Sequence, residues 1–234
     1  MSKPLVYLIP SQLDETGLHV IPAYVTDAIK NCQAFFVENE RTARRFLKKL
    51  WKEMVIDNYE WLVTDGSKKT EDLFKQKIKE GKTIGIISEA GCPGVADPGQ
   101  ELVMIAHKMN ITVKPLIGPS SILLALMASG MNGQQFSFVG YLPMKDFERN
   151  KAIKELEAES SKKNSTQVFI ETPYRNNQMI EALCKNCKPL TRLCIAVDLT
   201  GENEWIKTRT IEEWKKEKTD IHKRPAIFLL LAST

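Results

Sequence analysis

Three segments of the chain combine small residues with proline in a way that suits ligand binding. They are residues 9–11 (Ile-Pro-Ser), 88–99 and 118–121, and each follows a short apolar run that predicts a strand. Glycine lets the backbone approach a ligand closely, and proline restricts a loop so that less entropy is lost on binding. Each segment alone is typical of an ordinary turn, but three strand ends of this kind favour a binding edge in an open α/β sheet.

The chemistry at these loops is not phosphate binding of the usual kind. The sequence has no G-x-G-x-x-G after its first strand and no G-x-x-x-x-G-K-[ST]. A nucleoside triphosphate or dinucleotide cofactor is therefore disfavoured.

Cysteine and histidine do not form a metal or triad pattern. Cys184 and Cys187 form a C-x-x-C, followed by Cys194 and His222, but no second paired motif completes a zinc set. The three histidines have no H-x-x-H context. We expect no metal site and assign no histidine a catalytic role.

Composition indicates a folded cytoplasmic protein. The 234 residues are 43% hydrophobic and 26% charged, with a net charge of +4. This charge permits a nucleic-acid partner but is too small for a dedicated binding module. Five cysteines, an odd number, favour reduced thiols. We expect neither a signal peptide nor a membrane span, since the apolar runs are short or interrupted.

The order of elements predicts two α/β domains. In the first half, strands at 5–9, 34–37, 83–88 and 112–117 alternate with helices, including one at 20–31, which predicts a doubly wound, mostly parallel sheet. The second half has strands at 136–141, 167–171, 193–198, 204–210 and 226–231, a polar linker at 160–165 and fewer helices, which predicts a mixed sheet with flanking helices. The boundary falls near residue 117, giving domains 1–117 and 118–234.

The motifs resemble the tetrapyrrole-methylase superfamily, and within it the family of ribosomal RNA small-subunit methyltransferase I, which 2'-O-methylates a cytidine. Residues 88–93 and 96–99 are similar to its S-D-A-G-T-P…S-D-P-G element. Further segments match in the same order, namely 38–41 (E-D-T-R), 118–121 (G-P-S-A), 129–130 (S-G), 136–143 (F-x-F-x-G-F-L-P), 171–175 (E-S-P-H-R) and 198–200 (E-L-T). This collinearity is far more specific than any one motif.

The chain also departs from the family. The first loop, T-P-I-G-N-L in the family, is Ile-Pro-Ser-Gln-Leu at 9–13, and Asn39 stands where an aspartate is expected. The chain ends soon after the strand at 225–231, without the family's C-terminal extension. The loop changes touch the expected substrate side and bear on RNA specificity more than on cofactor binding.

The resemblance implies S-adenosylmethionine as the cofactor, held largely by backbone groups in a cleft between the two domains. The residues carried over as cofactor contacts are Pro10, Cys92, Val95, Ser121, Ile122, Ile170, Glu171, Leu199 and Ala226. Cys92 is expected to be a small spacer and not a nucleophile, since a cysteine outside a catalytic pattern is usually an inert buried thiol.

Transfer to a hydroxyl benefits from a general base or an electrostatic partner. The candidates are Glu38, Arg41 and Glu89, with Asp97 and Glu171 as further carboxylates at strand ends; capping or ion-pair roles remain open for each, and the identity of the base is unknown. A basic helix carries cations that bind RNA phosphates or form a solvated face, with Tyr141 or Tyr174 available to stack on a base. These cations are Arg41, Arg44, Arg45, Lys48, Lys49 and Lys52.

Three functions therefore stand side by side. The first is a methyltransferase acting on RNA of the small ribosomal subunit, and the second is one of the same superfamily acting on a small molecule such as a tetrapyrrole. The third is a cofactor-binding, RNA-associated protein without catalysis. The family resemblance also implies a homodimer.

Overall fold

The computed structural model describes residues 4–233 and divides into two compact units, with the break between Ser120 and Ser121. The first unit has the strands β1 Leu5–Ile9, β2 Ala34–Val37, β3 Glu60–Val63, β4 Ile84–Ile87 and β5 Thr112–Pro115. Its helices are α1 Tyr24–Lys30, α2 Glu40–Leu50, α3 Lys68–Lys79 and α4 Gly99–Lys108. Short 3-10 helices cover Gly17–Val20 and Ile56–Asn58.

The first sheet is entirely parallel, with strand order β3-β2-β4-β1-β5, and confirms the predicted doubly wound arrangement. All residues of β2 and β4 are buried, as expected for strands covered by helices on both faces. The register places Ile87 opposite both Ile9 and Val37, and Pro115 opposite Leu8. The carboxyl ends of four strands therefore lie at one edge of the sheet.

Two apolar layers hold this sheet. On one side Phe35 and Val37 pack with Phe46 and Leu47 of α2, and on the other Phe36 packs with Phe74 of α3. Helix α2 begins at Asn39, whose Oδ1 accepts the backbone N–H of Arg41 and Thr42. The cap and the buried face of α2 fix which of its side chains turn toward the strand ends.

Two local predictions in this unit are corrected. The helix predicted over 20–31 is confined to Tyr24–Lys30, because Ile21, directly before Pro22, is extended. The edge strand β3 was not predicted, since its Glu-Trp-Leu-Val has no clear period and its strand state depends on pairing with β2.

The second unit is a mixed sheet with flanking helices, as predicted. Its strands are β6 Phe136–Tyr141, β7 Thr166–Ile170, β8 Arg192–Val197, β9 Trp205–Thr210 and β10 Ala226–Leu231. Its helices are α5 Ser121–Ser129, α6 Asp146–Lys163, α7 Asn176–Asn186 and α8 Ile211–Trp214, with a 3-10 turn at Pro173–Arg175. The strand order is β6-β7-β10-β8-β9, in which only the β6–β7 pair is parallel.

The core of this unit joins α6 and α7 to the sheet through Ile153, Met179 and Phe169. Helix α6 runs through the stretch predicted as a linker at 160–165 and ends only at Asn164, which is left-handed at φ 47°. Ser160 is fully buried on this extension and its Oγ accepts the N–H of Ala232. The polar residues were therefore an unreliable sign of a linker.

The cysteines are free thiols within these cores or at their edges. Burial raises the pKa of Cys187 to about 12, which is typical of an inert thiol. Among residues 4–233 no cluster of three metal-binding side chains occurs, and no helix of that range is long and apolar enough to cross a bilayer.

Candidate functional site

The three loops singled out by their composition leave neighbouring strands of the first sheet. Pro10 follows β1, Ser88 follows β4, and Leu116 leads from β5 to Gly118, while β1 lies between β4 and β5. The loops therefore start side by side at the same edge. This edge is the position at which open α/β sheets bind ligands.

Hydrogen bonds join the first two loops directly. Ser11 and Gly91 form an isolated antiparallel bridge, with N···O distances of 2.9 and 3.2 Å in the two directions. The buried Ser11 Oγ also donates to Ser88 O at 2.9 Å. Gly91 has φ 75°, which is why a glycine suits this position of the bridge.

The second loop is held in shape by Asp97. Its Oδ1 accepts the backbone N–H of Gly94 and of Gly99, both at 2.8 Å, and so closes the loop onto the first turn of α4. Gly94 and Ala96 have positive φ values of 83° and 61°. Burial raises the pKa of the Asp97 carboxyl, while these two hydrogen bonds lower it. Asp97 therefore acts here as a loop clasp and not as a free acid or base.

The third loop approaches the other two as closely as atoms allow. A Cβ added to Gly118 would lie 2.1 Å from Pro10 Cβ, so only glycine fits. The thiol of Cys92 lies 3.5 Å from Pro119 O and points a weak donor at that carbonyl. Burial raises the pKa of Cys92, so the thiol is protonated at neutral pH. Its environment is that of a spacer between loops.

Apolar side chains remain exposed around this joined set of loops. Val95 is 49% exposed and Ile117 is 73% exposed. The Tyr24 hydroxyl accepts the N–H of Ile117 at 2.6 Å and fixes the loop that carries it. A rigid backbone with uncovered apolar side chains suits the backbone-contacted binding of a flat, partly apolar ligand.

Two candidate acidic residues, Glu38 and Glu89, are joined by a hydrogen bond beside the first two loops. Glu38 Oε1 accepts the backbone N–H of Glu89 at 2.9 Å, and Glu89 Oε1 accepts from Thr42 Oγ1 at 3.1 Å. Burial is the main cause that raises the pKa of Glu38 above its ordinary 4.5; the Glu89 N–H lowers it, and the charges of Asp97 and Glu89 raise it further. Two of the candidate catalytic residues, Glu38 and Glu89, are thus in contact. Arg41, the third, is exposed on the first turn of α2 and makes no ion pair among residues 4–233.

The structure separates the cations of α2 into two groups. Arg44 pairs with Glu40 at 2.8 Å and lies over the ring of Trp61, and Lys48 donates to Met54 O at 2.7 Å. Arg45 and Lys49 line a pocket of about 190 Å³ beside the first loop. The predicted stripe is therefore partly a structural feature and partly a free charged surface.

The other predicted cofactor residues belong to the second unit. Ser121 and Ile122 open α5, and Ile170 ends β7 beside the start of β10, where Ile227 follows Ala226. Leu199 is buried after β8. These positions place the second-unit candidates at strand ends and a helix start, and their role stays a prediction.

Glu171 has a clear structural partner. It is buried, and its Oε1 accepts both Arg175 Nε and Arg175 Nη2, at 3.0 and 2.5 Å. Glu171 Oε2 is buried without a partner among residues 4–233. An ion pair, one of the roles left open by the sequence, is thus present.

Of the two aromatic residues considered for base stacking, Tyr141 is 60% exposed. Tyr174 already contacts His222 edge-on and lies under Lys223. Both rings nevertheless remain exposed, since Tyr174 is 68% exposed beside these two neighbours and Tyr141 lies on the edge strand β6.

Three features of this edge were not predicted from the sequence. Tyr24 fixes the loop that carries Ile117, and Gln12 Oε1 is buried without a partner among residues 4–233. Arg45 and Lys49 line a pocket, whereas their neighbours on α2 are paired. Tyr24 carries no motif signal and reaches its partner across 93 residues. The helical spacing of residues 42, 45 and 49 gave a signal for one common face, but the sequence did not show what covered that face.

The chain is similar to known proteins over most of its length. Residues 19–215 match the model of the family described as Tetrapyrrole (Corrin/Porphyrin) Methylases. A ribosomal RNA small subunit methyltransferase I from Buchnera aphidicola (subsp. Schizaphis graminum) is 28% identical over 97% of this chain and 78% of its own length.

Solved structures show the same fold at low identity. A diphthine synthase has a TM-score of 0.68 at 14% identity, covering 98% of this chain and 90% of its own. A uroporphyrin-III C-methyltransferase from Thermus thermophilus, solved with S-adenosyl homocysteine, has a TM-score of 0.58 at 14% identity, covering 97% of both chains.

The chain belongs to the tetrapyrrole methylase family, because the family model covers most of its length, including the second and third loops. It is an S-adenosylmethionine-dependent methyltransferase, as the sequence predicted.

Proposed function

We propose that the chain transfers a methyl group from S-adenosylmethionine to the RNA of the small ribosomal subunit, at a ribose 2'-hydroxyl, in the cytoplasm. The choice of RNA rests on the similarity to the Buchnera aphidicola ribosomal RNA small subunit methyltransferase I, which aligns over 97% of this chain. The motifs at 38–41, 88–99 and 136–143 support the same choice.

The loops at the edge of the first sheet fit the cofactor. Pro10, Cys92 and Val95 lie on loops that hydrogen bonds and close contacts lock together, so little backbone entropy is lost on binding. When bound, the cofactor supplies both the activated methyl group and the leaving group from which that methyl is transferred. The chain must therefore chiefly orient the acceptor and exclude water.

A hydroxyl that accepts a methyl group must lose its proton. Glu38 and Glu89 lie beside the loops, where the Glu38 carboxylate accepts the Glu89 backbone N–H, and the raised pKa of Glu38 makes its carboxylate a stronger base than usual. Removing a general base typically costs about 10²–10⁴-fold in rate. We therefore compare Glu38→Gln with Glu89→Gln. The substitution that lowers kcat without weakening cofactor binding identifies the base.

The direct test uses small ribosomal subunits from a strain that lacks this gene. The purified protein should transfer labelled methyl from S-adenosylmethionine to their RNA, and alkali-resistant dinucleotides should show that the label is on ribose. Subunits from the parent strain, which already carry the modification, are the matched control and should accept none. Absence of label in a protein that binds S-adenosylhomocysteine by calorimetry would refute the proposal.

A small-molecule acceptor is the second candidate, favoured by the altered first loop with Ser11 and Gln12 and by the family's tetrapyrrole members. Label found in uroporphyrinogen and not in RNA would select it. Cofactor binding with no transfer to either acceptor would select the third function, a non-catalytic RNA-associated protein.

A homodimer is part of the proposal. Exposed apolar side chains occur close together in sequence in the second unit, which is typical of a contact surface. They are Leu123, Met127, Phe136, Val139, Tyr141, Met144 and Phe147. Light scattering should give about twice the chain mass of 26.6 kDa, and a monomer at micromolar concentration would contradict this.

A further inference from the structure

The pocket beside the first loop lies on a different part of the sheet edge from Cys92 and Val95. It is formed by the first loop, the exposed side of α2 and the start of the loop after β4. Its lining includes Leu13, Thr42, Arg45, Lys49 and Glu89. Its volume, about 190 Å³, is below the ~300–1,000 Å³ of sites for drug-sized ligands. The pocket therefore suits a group smaller than a drug-sized ligand, such as part of one nucleotide.

The charges of this pocket are arranged along α2. Thr42, Arg45 and Lys49 follow at helical spacing and share one face. Glu89 contacts Thr42 at the start of the helix, and Lys49 lies seven residues farther on, a rise of about 10 Å. Glu89 therefore lies at one end of this face, Arg45 one turn along it and Lys49 at the other end, while the carboxylates of Asp14 and Glu15 belong to the first loop.

The two cations are available to a ligand. Arg45 and Lys49 are exposed and have no hydrogen bond or ion pair among residues 4–233, whereas Arg44 and Lys48 of the same helix have partners. Unpaired arginine and lysine side chains are the usual contacts of phosphate oxygens.

The remaining polar groups are at the Glu89 end or on the first loop. Asp14 Oδ1 already accepts from the N–H and the hydroxyl of Thr16, and Glu15 is exposed on the same loop. Gln12 Oε1 is buried without a partner among the described residues. An unpaired buried acceptor is unfavourable, and a ligand hydroxyl or amino group would satisfy it after a small side-chain rotation.

We infer that this pocket binds one nucleotide of a single-stranded RNA, with its phosphate on Arg45 and Lys49 and its hydroxyl or amino donors toward Glu89 and Gln12. This inference rests on the proposed function. It assigns two of the α2 cations to the substrate, and it places the nucleotide beside the Glu38–Glu89 pair. Single-stranded RNA fits because its phosphates and base edges are both accessible.

The test is the salt dependence of RNA binding. The probe is protein-free RNA extracted from the undermethylated small subunits, titrated between 0.05 and 0.4 M KCl against wild type and the double variant Arg45→Gln, Lys49→Gln. Loss of two phosphate contacts on a single strand should lower the slope of log K against log salt by about 1.4. Measured from the 1 M salt reference, this difference in slope corresponds to RNA binding weakened about 25-fold at 0.1 M salt.

Two controls make the result specific. Lys52→Gln removes a charge of the same kind just beyond α2 and outside the pocket lining, and its slope should remain near that of wild type. The exchange Arg45→Lys, Lys49→Arg keeps both charges and should retain most of the binding. Calorimetry with S-adenosylhomocysteine and a thermal melt should show that the double variant is folded and binds the cofactor as wild type does.

The outcomes separate the inference from the proposed function. Wild-type binding with an unchanged slope in the double variant overturns the inference alone, and so does an equal change in Lys52→Gln. Failure of wild type to bind this RNA also overturns the inference alone, whereas failure to label the intact subunits in the direct test overturns the proposed function and the inference with it.

Discussion

The clasp made by Asp97 predicts how strongly loop shape controls cofactor binding. Asp97→Ala removes both 2.8 Å hydrogen bonds, to Gly94 N–H and Gly99 N–H, and leaves a loop with two residues at positive φ unsupported. A hydrogen bond to a charged acceptor contributes about 1.5–3 kcal/mol. Because Asp97 is only half-buried, we take the lower value, about 3 kcal/mol for the pair.

In this variant the cofactor must restore the shape of the loop when it binds, so the free energy of binding becomes less favourable by up to about 3 kcal/mol. Each 1.4 kcal/mol is tenfold, and we expect the Kd for S-adenosylhomocysteine to rise about 10- to 100-fold. Asp97→Asn keeps an oxygen that accepts from both N–H groups and no longer places a charge in a partly buried site. It should change the Kd by less than about fivefold.

Isothermal titration calorimetry measures these constants. Asp65→Ala is a matched control, because Asp65 Oδ1 closes a similar loop by accepting from Ser67 N–H and Thr70 Oγ1 at the start of α3. It should lower stability without weakening cofactor binding. A Kd within twofold of wild type for Asp97→Ala would refute the reasoning, since the loop would then hold its shape without the clasp.

The remaining predictions concern the same loops. Gly118→Ala forces a Cβ into Pro10 and should lower the free energy of unfolding by about 1–3 kcal/mol in urea denaturation. Gly133→Ala is the control, because a Cβ there meets nothing within 4 Å and should leave stability nearly unchanged. Equal effects of the two substitutions would contradict the close approach of Gly118 to Pro10. Cys92→Ala should retain methyl transfer within about threefold. Because burial raises the pKa of Cys92, the wild-type thiol should react slowly with iodoacetamide at pH 7. Loss of all methyl transfer in the variant would show that the thiol has a chemical role. The pKa of Glu38 in the folded state is raised above 4.5, so the folded state binds more protons than the unfolded state in this pH range. Wild type should therefore lose stability relative to Glu38→Gln as pH rises from about 4.5 through the raised pKa. A stability difference that is flat across this window, or that grows in favour of wild type, would contradict the prediction.

The sequence by itself determined the class of fold and predicted which sheet edge binds a ligand. Short apolar runs such as β2 and β4, bounded by turn residues, favour buried strands, and glycine and proline at their ends act through local backbone geometry. The parallel first sheet and the mixed second sheet follow from the order of such elements. The collinear motifs from residue 38 to residue 200 determined the methyltransferase family.

Tertiary structure alone decided which side chains are free to do chemistry. Arg44 and Arg45 are identical in type and adjacent in sequence, yet one is paired with Glu40 over Trp61 and the other faces a pocket. The contact between Glu38 and the N–H of Glu89 spans 51 residues. The edge strand β3 depends in the same way on a neighbour that is distant in sequence. The physical reason is common to all three: pairing, burial and the pKa shifts that follow are set by neighbours across the fold, which local sequence patterns do not contain.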